Sequence, residues 1–339
     1  MSTTPFARAL LVAALALAAA STAGAAADHR SPRFHAAWME HFAQQRGPEQ
    51  TDRVTKTFRV GRTAALELSN ISGDIVVTGG PGEEIAIEAT KRVRGRDDAE
   101  AKQQLSSVSI EAVERGGRVE VRTVYPRMSN NRVSVDYRVT VPAGTSVDVK
   151  SVSGDMKVTG VKGDLRAESV SGEVRAETGG QAARVKSVSG DVELTGVSGS
   201  GDVNVASVSG DVTAKNIKCR NLDAGSVSGE VRLIDVDCER SQVSSISGSL
   251  EYAGPLQKGG RYELKAHSGN VRLALSGTTG FEVDASTFSG TIRTDLPITL
   301  KAAGEGRERT RQSLRGTLGD ASALVVIKTF SGDVTIAKR

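Results

Sequence analysis

The 339-residue chain has little of what builds reactive sites or aromatic cores: 4% aromatics, one Trp, two cysteines and four histidines. Three of those histidines, His29, His35 and His41, precede residue 42, so a histidine-based catalytic group elsewhere has only His267 to draw on. Two cysteines exclude a disulfide-dense scaffold and a four-cysteine zinc site. Gly-x-Ser-x-Gly, His-Glu-x-x-His and phosphate-loop strings are all missing, and with them the common hydrolase, zincin and nucleotide-binding chemistries. No catalytic, cofactor-binding or metal-binding residue is assigned. Charge of one sign is lacking too. With 44 basic and 40 acidic residues the net charge is +4, which argues against nucleic acid as a partner. The local basic clusters Lys91–Arg96 and Arg307–Arg311 read as solvated strand ends or loops.

After residue 20 no apolar run is long enough to span a membrane. Residues 1–27 carry one basic residue, the apolar run Ala9–Ala20 and small residues before Asp28, the pattern of a secretory signal peptide. That predicts an exported protein, periplasmic or at the cell exterior, with no transmembrane segment once the leader is removed. Residues 28–56 read as a polar tail with a short helix over 34–45. His35 and His41 do not share a helical face, so they make no metal site.

What the chain has in abundance is glycine, 37 residues, in a repeated Ser-Gly-acid tripeptide. It stands at Ser153-Gly154-Asp155, Ser171-Gly172-Glu173, Ser189-Gly190-Asp191, Ser209-Gly210-Asp211 and Ser228-Gly229-Glu230. Weaker copies follow at Gly248, Gly269 and Gly290, with spacings of 18 to 21 residues. A period of that size means one unit stacked on copies of itself, each burying its neighbour's apolar face. Apolar residues two and four after the glycine (Met156, Val174, Val192; Val158, Ala176, Leu194) predict strands with one inward face. Counting back two residues adds Val152, Val170, Val188, Val208, Val227, Ile246, His267 and Phe288 to the expected interior, with His267 as a core histidine. A second turn is expected near Gly163, Gly180, Gly201, Asn221, Gly259 and Gly280. The predicted fold is all-β: a parallel β-solenoid of about 18–21 residues per coil.

The predicted organisation follows. Residues 57–150 form a first coil, opened by Ser72-Gly73-Asp74, and a β-rich cap with one short helix over 97–106. A hairpin turns at Glu114–Gly117, where two adjacent glycines permit positive φ. Residues 151–294 are the regular coils. Residues 295–339 are a C-terminal cap with a Gly- and Arg-rich loop and a last Ser331-Gly332-Asp333.

Two columns invite a functional reading. Cys219 and Cys238 each lie nine residues after a motif glycine, hence side by side in consecutive coils and within reach of a disulfide; two stacked thiols are the alternative. The acids Asp155, Glu173, Asp191, Asp211 and Glu230 should stack along one corner, where like charges repel. Either a weak cation site or backbone N–H bonds of the Asx-turn kind would offset that, and the backbone reading is preferred. The serines one and three before the glycine, Ser151 and Ser153 through Ser226 and Ser228, are expected to form one flat hydroxyl array.

The strings Leu66–Ile75, Tyr137–Gly144 and Thr329–Val334, with the Ser-x-Ser-Gly array between them, resemble the bacterial putative-adhesin family over about residues 60–337. The family is a domain of unknown function in envelope proteins. The resemblance implies an exported, non-enzymatic β-solenoid that presents a repetitive polar surface to an envelope or extracellular partner. A glycan, a protein or a second copy of itself could be that partner. A structural or stress-associated periplasmic protein without a specific ligand is the alternative, and a polysaccharide-active β-helix enzyme a more distant one.

Overall fold

The computed structural model describes residues 49–126, 132–300 and 312–339. The expected leader over 1–27, the helix over 34–45, His29, His35, His41 and the Arg307–Arg311 cluster lie outside those residues. The remainder belongs to one compact unit, Gly47–Arg339.

That unit is a parallel β-solenoid, built as the glycine period predicts. One long face carries the strands that lead into each glycine: Ala65–Ser69, Ser146–Ser153, Leu165–Ser171, Ala183–Lys186 and Asp202–Ser209 lie side by side in parallel register. A second face carries the strands that leave it: Ile75–Gly80, Met156–Val161, Val174–Thr178 and Val192–Thr195. The period keeps equivalent residues in register, so Val192, Val212, Val231, Leu250 and Val271 stack directly upon one another. All five are at most 1% exposed. No coil could bury these side chains alone; the stack makes the core.

The middle coils have a third side. Val212–Ser228 and Val231–Ser247 are single 17-residue strands that bend at Asn216 (φ +53°) and Asp235 (φ +55°). The equivalent positions in two earlier coils are Gly160 and Gly196, also at positive φ. This corner sits six residues after the motif glycine, and the spacing alone did not reveal it. It opens a short side that carries Ile217 and Cys219 inward. Gly163, Gly180 and Gly201, expected as the second turn, mark the far end of that side. A Cβ at each would stand 2.3–2.4 Å from a carbonyl oxygen of the preceding coil.

Chain order and stack order differ at both ends. Arg118–Val124 and Ser134–Pro142 add a coil outside the one that contains Gly73. At the other end Ala323–Ser331 and Val334–Lys338 slide between the coil of Gly269 and the coil of Gly290. The last segment of chain is therefore an inner coil, not the end cap expected of residues 295–339; of the described strands in that span, Thr299–Leu300 and Gln312–Leu318 sit outside it. A free strand edge would template further pairing. Antiparallel strands cover three edges instead: Ser109–Arg115 on Arg118–Val124, Glu84–Arg94 on Ser134–Pro142, and Gln312–Leu318 on Phe281–Ser289.

Glu49–Arg59, expected within or just after a polar tail, pairs antiparallel along the whole of Glu84–Arg94. The expected helix forms over Asp98–Ser107. The Asp97 carboxylate caps it, accepting from Glu100 N at 2.8 Å. In the terminal coil Tyr137 is fully buried, its hydroxyl 2.6 Å from Thr123 Oγ1, and burial pushes that hydroxyl up to about 12.

Candidate functional site

The feature repeated along the stack is the glycine corner, and its geometry follows from backbone accounting. The motif glycines have φ from +116° at Gly73 to +157° at Gly229, a region closed to side-chain-bearing residues. From Gly154 onward a Cβ would also fall 2.1–2.4 Å from the carbonyl oxygen of the motif glycine in the adjacent coil. Successive corners nest backbone on backbone, which only glycine allows.

Turning so sharply takes two backbone groups out of the ladder: the glycine C=O and the N–H of the residue after it. Buried backbone groups need partners, and the motif supplies both. The serine three before the glycine donates to the glycine carbonyl of the preceding coil. Ser207 Oγ reaches Gly190 O at 3.0 Å and Ser226 Oγ reaches Gly210 O at 3.0 Å. Ser187, Ser245, Thr287 and Thr329 make the same bond. In the two early coils Ser151 and Ser169 donate to the carbonyls of Ser153 and Ser171 instead.

The acid after the glycine accepts the orphan N–H of the next coil. Asp155 Oδ1 takes the N–H of Glu173 at 2.9 Å, Asp191 Oδ1 that of Asp211 at 2.8 Å, and Asp211 Oδ1 that of Glu230 at 2.8 Å. Asp136, Asp74, Asn270 and Asp333 extend the ladder to both ends. Glu173 and Glu230, one methylene longer, turn aside to Arg175 and Arg232. The acids thus serve the neighbouring coil, where an Asx-turn would serve their own. Among the described residues no group of three or more His, Cys, Asp or Glu is placed to hold a metal ion. The backbone N–H and then the hydroxyl of Thr291 hold the Asp333 carboxyl below its ordinary value. Its stabilising contribution is present above the ordinary carboxylate range, near pH 4, and fades as pH falls through the lowered value.

These bonds make a paired prediction. Ser226→Ala leaves the half-buried Gly210 carbonyl without its donor and should cost about 1 kcal/mol. Asp211→Asn keeps the accepting oxygen, as Asn270 does naturally, and should change stability by less than about 0.5 kcal/mol. Chemical denaturation of the two variants checks both.

Serving the glycine carbonyl turns the serine inward and reverses one expected column. Val152, Val208, Val227, Ile246 and Phe288 are 39–54% exposed, His267 is exposed, and Val170 and Val188 are half-buried. Counting straight through the glycine puts residues two before and two after it on one face. The corner breaks that parity, so the residue three before and the residue two after share the interior. The expected single hydroxyl array is split accordingly: Ser151, Ser169, Ser187, Ser207 and Ser226 are buried, while Ser153, Ser171, Ser189, Ser209 and Ser228 are exposed.

The outcome is a continuous apolar ridge. In stack order it runs Ile71, Val152, Val170, Val188, Val208, Val227, Ile246, His267, Phe330 and Phe288. It ends in stacked rings: His267 and Phe330 at 5.2 Å with an 11° interplanar angle, Phe330 and Phe288 at 4.9 Å and 3°. Phe330 separates His267 from Phe288 because the last coil is intercalated. His267 is therefore a surface residue, not a core one. The sequence shows these residues as one column, and the corner turns that column to the outside.

The Cys219–Cys238 pair lies on the short third side, in register, with Cα atoms 4.7 Å apart and a disulfide between them. Both residues are at most 4% exposed. This places the bridge in the core, away from the ridge.

Solved structures resembling the chain include three described as putative adhesins. That from Parabacteroides distasonis ATCC 8503 shares 11% identity over 86% of this chain and 98% of its own, with a TM-score of 0.48. That from Parabacteroides merdae ATCC 43184 shares 10% over 85% and 96%, with a TM-score of 0.45. That from Bacteroides fragilis NCTC 9343 shares 12% over 85% and 97%, with a TM-score of 0.41. No curated protein matches the chain. The Toastrack DUF4097 family model matches residues 63–337, and the chain accordingly belongs to that family.

Proposed function

We propose that this is an exported, non-enzymatic β-solenoid of the bacterial cell envelope, periplasmic or outside the cell, whose repeated corner is its binding or scaffolding face. The observation that carries this reading is the outward-facing column from Ile71 to Phe288, in which Ile71, Val152, Val208, Val227, Ile246, Phe330 and Phe288 are exposed and Val170 and Val188 half-buried. Ten coils keep a valine, isoleucine, histidine or phenylalanine outward at one position, bordered by exposed serines and the acid ladder. Exposed apolar surface of that length is the mark of an interaction site. The leader-like pattern of residues 1–27 supports export, and among the described residues no helix is long and apolar enough to cross a membrane.

The test compares retention of the purified protein on cell envelopes prepared from the producing bacterium. Val227→Asp and Ile246→Asp on the ridge should abolish retention with an unchanged melting temperature. Thr213→Asp, on the adjacent face, should be retained like the wild type. Equal retention of ridge and face variants would remove the corner from the binding surface.

A further inference from the structure

The ridge has a length, a charge pattern and a repeat that together select one occupant. We infer that it is a self-association surface: two copies of this chain pair ridge to ridge about a twofold axis parallel to the coil stack. This rests on the reading of the corner as a binding face and names its partner.

Size is the first argument. Ten positions at the coil spacing span about 43 Å. At their fractional exposures the ridge side chains, with the flanking serines, offer on the order of 800 Å², which is what each partner contributes to a standard-size interface. Much of that area is apolar, more than isolated surface valines would give.

Charge is the second. One flank of the ridge is the acid column of Asp155, Asp191, Asp211 and Asp333. The other flank, two residues back along the incoming strand, carries Lys150, Lys186, Lys265 and Lys328, with one acid among them, Glu168, which is paired to Arg166 of its own chain. A twofold axis along the ridge carries each copy's acid flank onto the other's lysine flank. An axis across the ridge would set acid against acid and lysine against lysine. Electrostatics therefore favours copies running in the same direction. Lys150 and Lys265 also touch Asp148 and Glu263 of their own chain, so the inter-copy pairs add register more than affinity.

Shape is the third. Between Lys186 and Lys265 the same flank narrows to Ala206, Gly225 and Ser244, beside Val208, Val227 and Ile246. Small residues there let a facing ridge approach the sheet closely. Equal coil spacing in both copies keeps the match along the full length.

Sedimentation velocity with the purified protein at micromolar concentration tests this. The wild type should be a dimer. Ile246→Asp sets a carboxylate opposite its own copy and, joined to Phe330→Asp, should weaken the dimer by roughly 30-fold or more at an unchanged melting temperature. Single cysteines at Val152 and Ile246, about 24 Å apart along the ridge, should each cross-link to themselves across the axis on air oxidation. The native cysteines are bridged and buried and take no part. A monomeric wild type overturns the inference, as does a dimer in which neither site, or only one of the two, cross-links. If the wild type is monomeric while ridge variants still lose envelope retention, the binding face stands and only its partner is wrong. If ridge variants change neither property, both fail.

Discussion

Gly172→Ala is expected to destabilise the protein by about 3–5 kcal/mol, a large share of the stability of an ordinary domain. Gly172 has φ +122°, which alanine adopts only under strain, and an added Cβ would stand 2.2 Å from Gly154 O. The two penalties act together. Relief would require the coil of Gly154 to move, and that coil is held by the N–H of Gly154 on Ser171 O at 3.2 Å and by the next acid rung. Neighbouring Ser171 is exposed, so Ser171→Ala should stay within about 0.5 kcal/mol. Urea denaturation of the pair gives the contrast. A cost below about 1 kcal/mol for Gly172→Ala would mean that the corners do not nest as described.

Removing the disulfide should be the next largest effect. Cys219 and Cys238 close a loop with a sequence separation of 19, for which loop-closure entropy in the unfolded chain amounts to about 3 kcal/mol. Both are buried at the third side, so Cys219→Ala with Cys238→Ala also loses two core sulfurs. We expect a total loss of about 3–5 kcal/mol. Reduction of the wild type isolates the first part, and the difference from the double variant is the second. Thermal unfolding with and without reductant should therefore separate in the wild type and coincide in the double variant.

The regular coils were the most legible part of the chain. Glycine spacing set the period, and the columns two and four after the glycine are interior because a plain strand alternates. Asp97 and Gly116-Gly117 announced a helix start and a hairpin through local chemistry alone. What was not legible depends on pairing across coils. Ser207 looks like a surface serine until Gly190 O is placed beside it, and Val208 looks like core until Ser207 has turned inward. The bend at Asn216 and Asp235 was hidden because neither residue is glycine, although Asn and Asp are the residues that best tolerate positive φ. Intercalation of Ala323–Lys338 is hidden because sequence order suggests stack order, and the 42-residue step from Gly290 to Gly332 gives no sign of which coil the last strands enter.

The central claim is that the corner turns serine inward and the neighbouring apolar residue outward. Thiol labelling of Ser245→Cys and Ile246→Cys in the native, disulfide-intact protein tests it most directly. Ser245 is 4% exposed and Ile246 is 54% exposed. At concentrations too low for association, a water-soluble maleimide should modify the cysteine at 246 rapidly and reach that at 245 only on unfolding. The reverse order of labelling, or equal rates, would contradict the corner and the ridge together.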